Sequence, residues 1–238
     1  MSEVLLQTTT SSACGAITWR RKTLETRCLT STELVDWYLP MRFDVLRREL
    51  NWTVGDVRTP IDLRDAYDRE SIAFGVLRAR SQLIGAARLI LPVGDALPSL
   101  RLLRSLGRHQ RFALPTAEIS RVMVRRDFRK LGVFRILLLS SLLVAHDAKV
   151  HTLIISERDE ARFARTMSNY GFIRFADGFS FMDEIIAPHE PAATYVLDVH
   201  RNLDADSRQA IAGLREVLLR AAEALLTAGE ADRSSDFG

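Results

Sequence analysis

Lysine is nearly absent from this chain of 238 residues: it occurs only at Lys22, Lys130 and Lys149, and every other basic side chain apart from histidine is arginine. Arginine stays charged when buried and grips carboxylate or phosphate with paired donors, so the bias keeps both buried ion pairs and anionic ligands in play. Cysteine is scarce too. Cys14 and Cys28 are too few for a disulfide framework and wrongly spaced for a zinc site, which leaves two reduced thiols. No apolar run approaches the roughly 20 residues of a membrane span. The longest, Ile136 to Ala145, is broken by Ser140 and Ser141 and stops at His146-Asp147, so it is expected to be a core helix. The N-terminus has an acidic third residue and no basic segment ahead of an apolar stretch, so the secretory pattern is missing and the cytoplasm is the expected compartment. Histidines 109, 146, 151, 189 and 200 form no i, i+4 pair, which argues against a metal site. A net charge of only +3, without a helix-turn-helix, zinc or RNP pattern, argues against a nucleic-acid partner.

What is present is the composition of a globular chain, 47% hydrophobic and 26% charged, with no Gly/Ser or Pro-rich linker in its interior. One domain over 1–202 is expected, including an N-terminal extension of about 1–16, followed by a C-terminal helix and frayed tail over 203–238. Ile17 to Thr30 reads as a strand. Ser31 and Thr32 can cap a helix with apolar positions Leu34, Trp37, Tyr38, Met41, Val45 and Leu46, ending near Leu50. Thr53 to Glu70 reads as a loop. A β-hairpin of Ala73 to Ala79 and Gln82 to Leu91 follows, then a short helix from Pro98 to Arg104 and a strand from Ala117 to Val124. The chain turns helical from Asp127, with Phe134, Leu137, Leu138, Ser141, Leu142 and Ala145 on one face. Strand 151–156, helix 158–170 and strands 172–176, 179–186 and 193–199 complete the core, and Asp204 to Thr227 reads as an amphipathic helix. This order predicts an α/β fold with a mixed sheet and helices on both faces.

Charged residues recur where the strands should be buried: Arg42 and Trp52, then Asp65 and Asp68, then Arg88, then Glu118, Ser120 and Arg121. Alternation puts Arg88, Glu118 and Ser120 on sheet faces shared with apolar neighbours, where a charge must be paired. A buried ion-pair network that merely holds the fold fits this pattern as well as an active site does.

The same residues resemble the bacterial acyl-homoserine lactone synthases. Arg42 with Val45, Leu46 and Trp52 is similar to the family's R-x-x-V-F…W element, Asp65-x-x-Asp68 to its acidic pair, Arg88 in GAARLILP to the arginine of G-x-x-R-L, and Glu118-Ile-Ser-Arg121 to its E-x-S-R signature. Leu46 stands where phenylalanine is usual, which marks a divergent member. Beyond Val124 the resemblance is to the wider GNAT acyltransferases. There Arg129-x-x-Gly132-x-Phe134 resembles the turn that holds a coenzyme A diphosphate, with Phe134 in place of a small residue. Free N–H groups at a helix start, with Arg125, Arg126, Arg129 and Lys130 beside them, suit an anion.

The resemblance implies a three-layer α/β/α sandwich with a splayed central sheet. It also implies an enzyme that moves an acyl group from a thioester, acyl-carrier protein or acyl-coenzyme A, to the amine of S-adenosylmethionine. Lactonisation and release of methylthioadenosine would follow, with no metal or further cofactor. Glu118, Arg88, Asp65 and Asp68 are the expected catalytic group and Arg42, Trp52, Ser120 and Arg121 the acceptor-binding group. Arg125, Arg126, Arg129, Lys130 and Gly132 are expected at the acyl donor, and Met123, Leu153 and Phe172 along an acyl tunnel. A GNAT-type transferase acting on another amine, and a non-catalytic thioester-binding module, remain as alternatives.

Overall fold

The computed structural model describes residues 7–9, 16–21, 24–53, 55–69, 71–79, 81–91, 97–108, 112–179 and 191–199. The stretch expected as one strand is two, β2 (Ala16–Arg21) and β3 (Leu24–Cys28), paired antiparallel, with β1 (Gln7–Thr9) outside β2. The next helix is capped one residue earlier than expected. Thr30 accepts the Glu33 N–H while the Glu33 carboxylate accepts the Thr30 N–H, a capping box that opens α1 (Ser31–Glu33). Glu33 is also paired with Arg27 on β3, which ties the helix start to the sheet. The run continues through a π-helical turn (Leu34–Tyr38), α2 (Leu39–Phe43) and a second π-helical segment (Asp44–Glu49). Its buried residues Tyr38, Leu39, Met41 and Val45 pack on Ala73, Ala86 and Met123 of the sheet.

The expected hairpin is β4 (Ser71–Arg78) and β5 (Gln82–Ile90); α3 (Pro98–Ser105) and β6 (Thr116–Val124) follow. The helix expected from Asp127 begins later, as α4 (Val133–Asp147). Gly132, at φ +86°, turns the chain out of a 3-10 turn at Arg126–Phe128, and this left-handed conformation is one glycine adopts without strain. β7 (Thr152–Arg158) outruns its expected end because β9 (Ala192–Asp198) pairs along its full length, so α5 starts at Ala161 and runs to Asn169. β8 (Ile173–Phe179) is one continuous strand; the rest of the strand expected over 179–186 and the helix expected over 204–227 lie outside the described residues.

The sheet order is β1-β2-β3-β4-β5-β6-β7-β9-β8, antiparallel except for β6 with β7. Helices cover both faces, so the α/β/α sandwich is present. On one side α4 and α5 pack against Val76, Ala87, Ile119 and Ile155; on the other the first helical run packs as above and α3 packs on Ile90 and Ile154.

Two irregularities shape the centre. β6 and β7 pair only from Thr116↔Thr152 to Ile119↔Ile155, although both strands continue, so they part beyond that point. On its other edge β6 carries a bulge: Ala86 faces Met123 and Arg88 faces Ser120, so Arg121 and Val122 together oppose Ala87. Arg121 there takes φ +52°, a left-handed conformation that costs an L-residue energy and is held by what its side chain binds.

Gly85 fixes how close α4 comes to the sheet, since a Cβ there would lie 2.4 Å from Val133 Cγ1, in the first turn of the helix. Gly85→Ala is expected to destabilise the protein by about 1–3 kcal/mol in urea unfolding, the usual cost of overpacking. A loss below about 0.5 kcal/mol would show that α4 yields freely.

Candidate active site

Five charged side chains from separate stretches meet on the sheet face beneath the first helical run. Arg88 on β5 and Ser120 on β6 are cross-strand partners, and Arg88 Nη2 donates to Ser120 Oγ at 3.3 Å. Arg42 descends from α2, and Asp65 and Asp68 come from the loop at the 3-10 turn Ala66–Arg69. Strand alternation alone would point Arg121 away from Ser120. The bulge returns it to this face, where its Nη2 reaches Asp65 Oδ2 at 3.2 Å. Arg42 donates to Asp65 at 2.8 Å and to Asp68 at 3.1 Å, and one Arg88 nitrogen lies 2.6 Å from both carboxylates. The Arg42 and Arg88 side chains are 0% and 1% exposed. Burial pushes the Asp65 carboxyl up, but Arg88, Arg42 and Arg121 outweigh it and hold the group well below the usual carboxylate range.

Glu118 behaves differently. It is buried on the same face, yet its partner is the start of α3: Ser99 donates its N–H to Glu118 Oε2 and its hydroxyl to Oε1, both at 2.9 Å. Ser99 Oγ in turn lies 2.7 Å from Ser156 Oγ on β7, and Ser156 Oγ lies 2.8 Å from Thr194 Oγ1 on β9. Burial is the largest influence and pushes Glu118 up to about 7, against the pull of Ser99, Arg88 and Arg121. One site therefore holds a carboxylate kept ionised and a carboxyl poised near neutrality.

A cavity of about 790 Å³ opens where β6 and β7 part; Trp52, Glu118, Ser120, Arg121, Ser156 and Glu157 line it, with the turn from Arg129 to Val133 at its edge. The first-turn N–H groups of α4 have no partner within the helix, so this edge suits an anion. A second cavity, of about 510 Å³, is lined by Tyr38, Asp65, Asp68 and Ser71. Since Arg121 lines the first cavity and Asp65 the second, the ion-pair network stands between them.

The sequence-derived residues thus divide. Glu118, Ser120, Arg121, Trp52, Arg129, Lys130 and Gly132 line the larger cavity, with the Arg158 guanidinium 5.4 Å over the Trp52 ring. Asp65, Asp68, Arg42 and Arg88 do not line that cavity, and of these Asp65 holds Arg121. Arg125 and Arg126 do not line the cavity: Arg125 sits over the Phe128 ring at 5.8 Å and Arg126 is exposed. Arg129 is spoken for as well, paired with Glu49 and donating to the Val124 carbonyl at 3.1 Å. Of the three residues expected along an acyl tunnel, only Met123 lines the cavity; Leu153 and Phe172 are buried in the core on the α4 side. Ser99, Ser156 and Glu157 had no signal in the sequence. Glu157, partly buried at the cavity, is pushed up to about 7, chiefly by burial.

Residues 41–139 match the family described as the acetyltransferase (GNAT) domain. The chain has the GNAT fold. Its structure is similar to that of the coenzyme A-dependent acyl-homoserine lactone synthase BjaI, solved with S-adenosylmethionine and isopentyl-coenzyme A, at TM-score 0.55 and 19% identity, covering 79% of this chain and 83% of that one. FeeM, an N-acyl amino acid synthase from uncultured soil microbes, is similar at TM-score 0.55 and 14% identity, over 76% of this chain and 93% of that one. Spermidine N-acetyltransferase SpeG from Vibrio cholerae follows at TM-score 0.52 and 14% identity, over 78% and 99%. No curated protein sequence matches the chain.

A carboxyl held below its usual pKa stabilises the fold above about pH 4, the unfolded value, and the stabilisation is lost on acidification. Asp65→Asn, which leaves buried guanidiniums short of charge, is expected to cost about 3–5 kcal/mol at pH 7. In urea unfolding this deficit should narrow below pH 4. A deficit independent of pH would refute the ion-pair account.

Proposed function

We propose that the chain is an N-acyltransferase that takes an acyl group from a thioester and passes it to the amine of S-adenosylmethionine, yielding an N-acyl-homoserine lactone as a quorum-sensing signal. The observation that carries this reading is the convergence of Arg42, Asp65, Asp68, Arg88 and Arg121 in one cluster, beside a cavity opened by two parting strands. Those residues carry the resemblance to the synthases, and they lie far apart along the chain.

Aminolysis of a thioester needs an amine without its proton, a carbonyl held against it, and donors where negative charge develops. Beyond Ile119 and Ile155 the facing edges of β6 and β7 make no ladder to each other, and the gap between them suits an acyl-pantetheine arm that bonds strand backbone. The start of α4 suits the donor's phosphates, whether on coenzyme A or on an acyl carrier protein. With Arg125 and Arg126 off the cavity lining and Arg129 tied to Glu49, the helix-start N–H groups and Lys130 are the donors left for those phosphates. Glu118, near neutral pKa and on the cavity wall, accepts the proton of the acceptor ammonium. Arg121, held in place by Asp65, faces the acceptor carboxylate. The amine then attacks the thioester carbon, the amide forms and the thiol leaves. In the second step the acceptor's carboxylate oxygen attacks its own γ-carbon, expelling methylthioadenosine and closing the lactone.

Transfer to another amino acid is the second reading, favoured by the equal structural likeness to FeeM. Arg121 would serve any carboxylate-bearing amine. The two separate by mass spectrometry of the product when protein, acyl-coenzyme A and either S-adenosylmethionine or mixed amino acids are incubated together: lactone formation with released methylthioadenosine supports the first, and an N-acyl amino acid overturns it. Glu118→Gln should keep the melting temperature within a few degrees and lower kcat by about 100-fold or more, the lower range for a general base. In the unaltered protein kcat/KM should rise with pH through about 7 as Glu118 ionises, and level above it. Full activity in Glu118→Gln would make the buried carboxyl structural.

A further inference from the structure

The hydroxyl chain running from Glu118 has a direction that its bonds dictate. An ionised carboxylate only accepts, so the single Ser99 hydroxyl proton must point at Glu118 Oε1, 2.9 Å away. Ser99 Oγ therefore accepts in its 2.7 Å bond to Ser156, and Ser156 donates. With its own proton committed, Ser156 accepts in the 2.8 Å bond to Thr194, and Thr194 donates. All three hydroxyl protons point toward Glu118. Ser99 and Thr194 are 0% exposed, so water does not compete at either position.

Ser156 occupies a singular place in this chain. It follows Ile155, the last residue of β7 paired with β6, and so stands where the two strands begin to part, on the wall of the large cavity. A hydroxyl oxygen offers two lone pairs. One receives Thr194, and the other is left for the cavity.

We infer that Ser156 is a catalytic residue, the entry of a proton relay through Ser99 to Glu118, so that the amine substrate delivers its proton to Ser156 rather than directly to the carboxylate. In one concerted shift the N–H bond of the ammonium breaks and its proton bonds Ser156 Oγ. The Ser156 proton moves to Ser99 Oγ, and the Ser99 proton bonds Glu118 Oε1. The electron pair of the broken N–H bond stays on nitrogen for attack on the thioester carbonyl. One proton leaves the substrate, one arrives at Glu118, and each serine ends neutral. The arrangement explains why a buried carboxylate with Ser99 bonded to both its oxygens can still serve a substrate in the cavity. Among the largest influences on Glu118 the charged groups are Arg88 and Arg121.

This relay rests on the acyltransferase reading, and two readouts keep their failures apart. The first is thiol release and amide formation. Ser156→Ala should lower kcat by about tenfold or more with the KM for acyl-coenzyme A unchanged, Ser156→Thr should recover most of the loss, and the bowed dependence of rate on deuterium content expected when several protons move together should become linear. The second needs no activity: the infrared carboxyl band of Glu118, identified by its loss in Glu118→Gln, is followed against pH. Its midpoint should move up in Ser156→Ala, because Ser99 loses the donor that polarises its bond to the carboxylate, and stay in place in Ser156→Thr. An unmoved midpoint in Ser156→Ala, or unchanged kcat in an active protein, overturns the relay. Unaltered protein that acylates no amine overturns the acyltransferase reading and the relay's substrate with it, while an unmoved infrared midpoint in an active protein overturns the relay alone.

Discussion

Two guanidiniums with no access to water impose the central constraint of this molecule. Arg42 and Arg88 cannot shed their charge, and in a low-dielectric interior an unmatched cation costs several kcal/mol, so carboxylates must come to them. That requirement pins the loop carrying Asp65 and Asp68 down onto the sheet and holds α2 above it. It also holds Arg121 in a backbone conformation an isolated chain would avoid. The left-handed residue, the β6 bulge and the closed ion-pair cluster are one feature seen at three levels.

β6 organises the rest because its two edges serve different ends. Toward β5 the bulge turns Arg121 into the ion-pair network; toward β7 the ladder stops at Ile119 and a cavity opens. Glu118 and Ser120, two residues apart on one face, therefore straddle the point where the strands separate. Their surroundings differ accordingly. Asp65 meets three guanidiniums and stays ionised, whereas Glu118 meets a helix start and hydroxyls, and burial holds it near neutrality. Separating carboxyls by environment is how one fold carries both a fixed charge and a titrating base.

Much of this was legible in the sequence, for reasons that are local. The capped helix with its apolar stripe, the β4–β5 hairpin and the strand ending in Glu118 to Val124 follow from periodicity and turn residues. The resemblance of short motifs to those of the synthases singled out Arg42, Asp65, Asp68, Arg88, Glu118, Ser120 and Arg121. Reading broke down where a distant element redirected a nearby one. Glu49 took Arg129 from the donor site across a separation of 80 positions, and β9 lengthened β7 at the expense of the next helix.

Residue types and their order determined that acids and arginines would share a buried sheet face, because alternation and helical period depend on neighbours a few positions apart. Only the tertiary structure decided which acid is held ionised and which titrates, and which arginine reaches the cavity. Those outcomes depend on burial and on partners such as Ser99, 19 positions from Glu118, or Asp65, 56 positions from Arg121. Electrostatic energy is set by distance in space, and separation along the chain does not encode that distance.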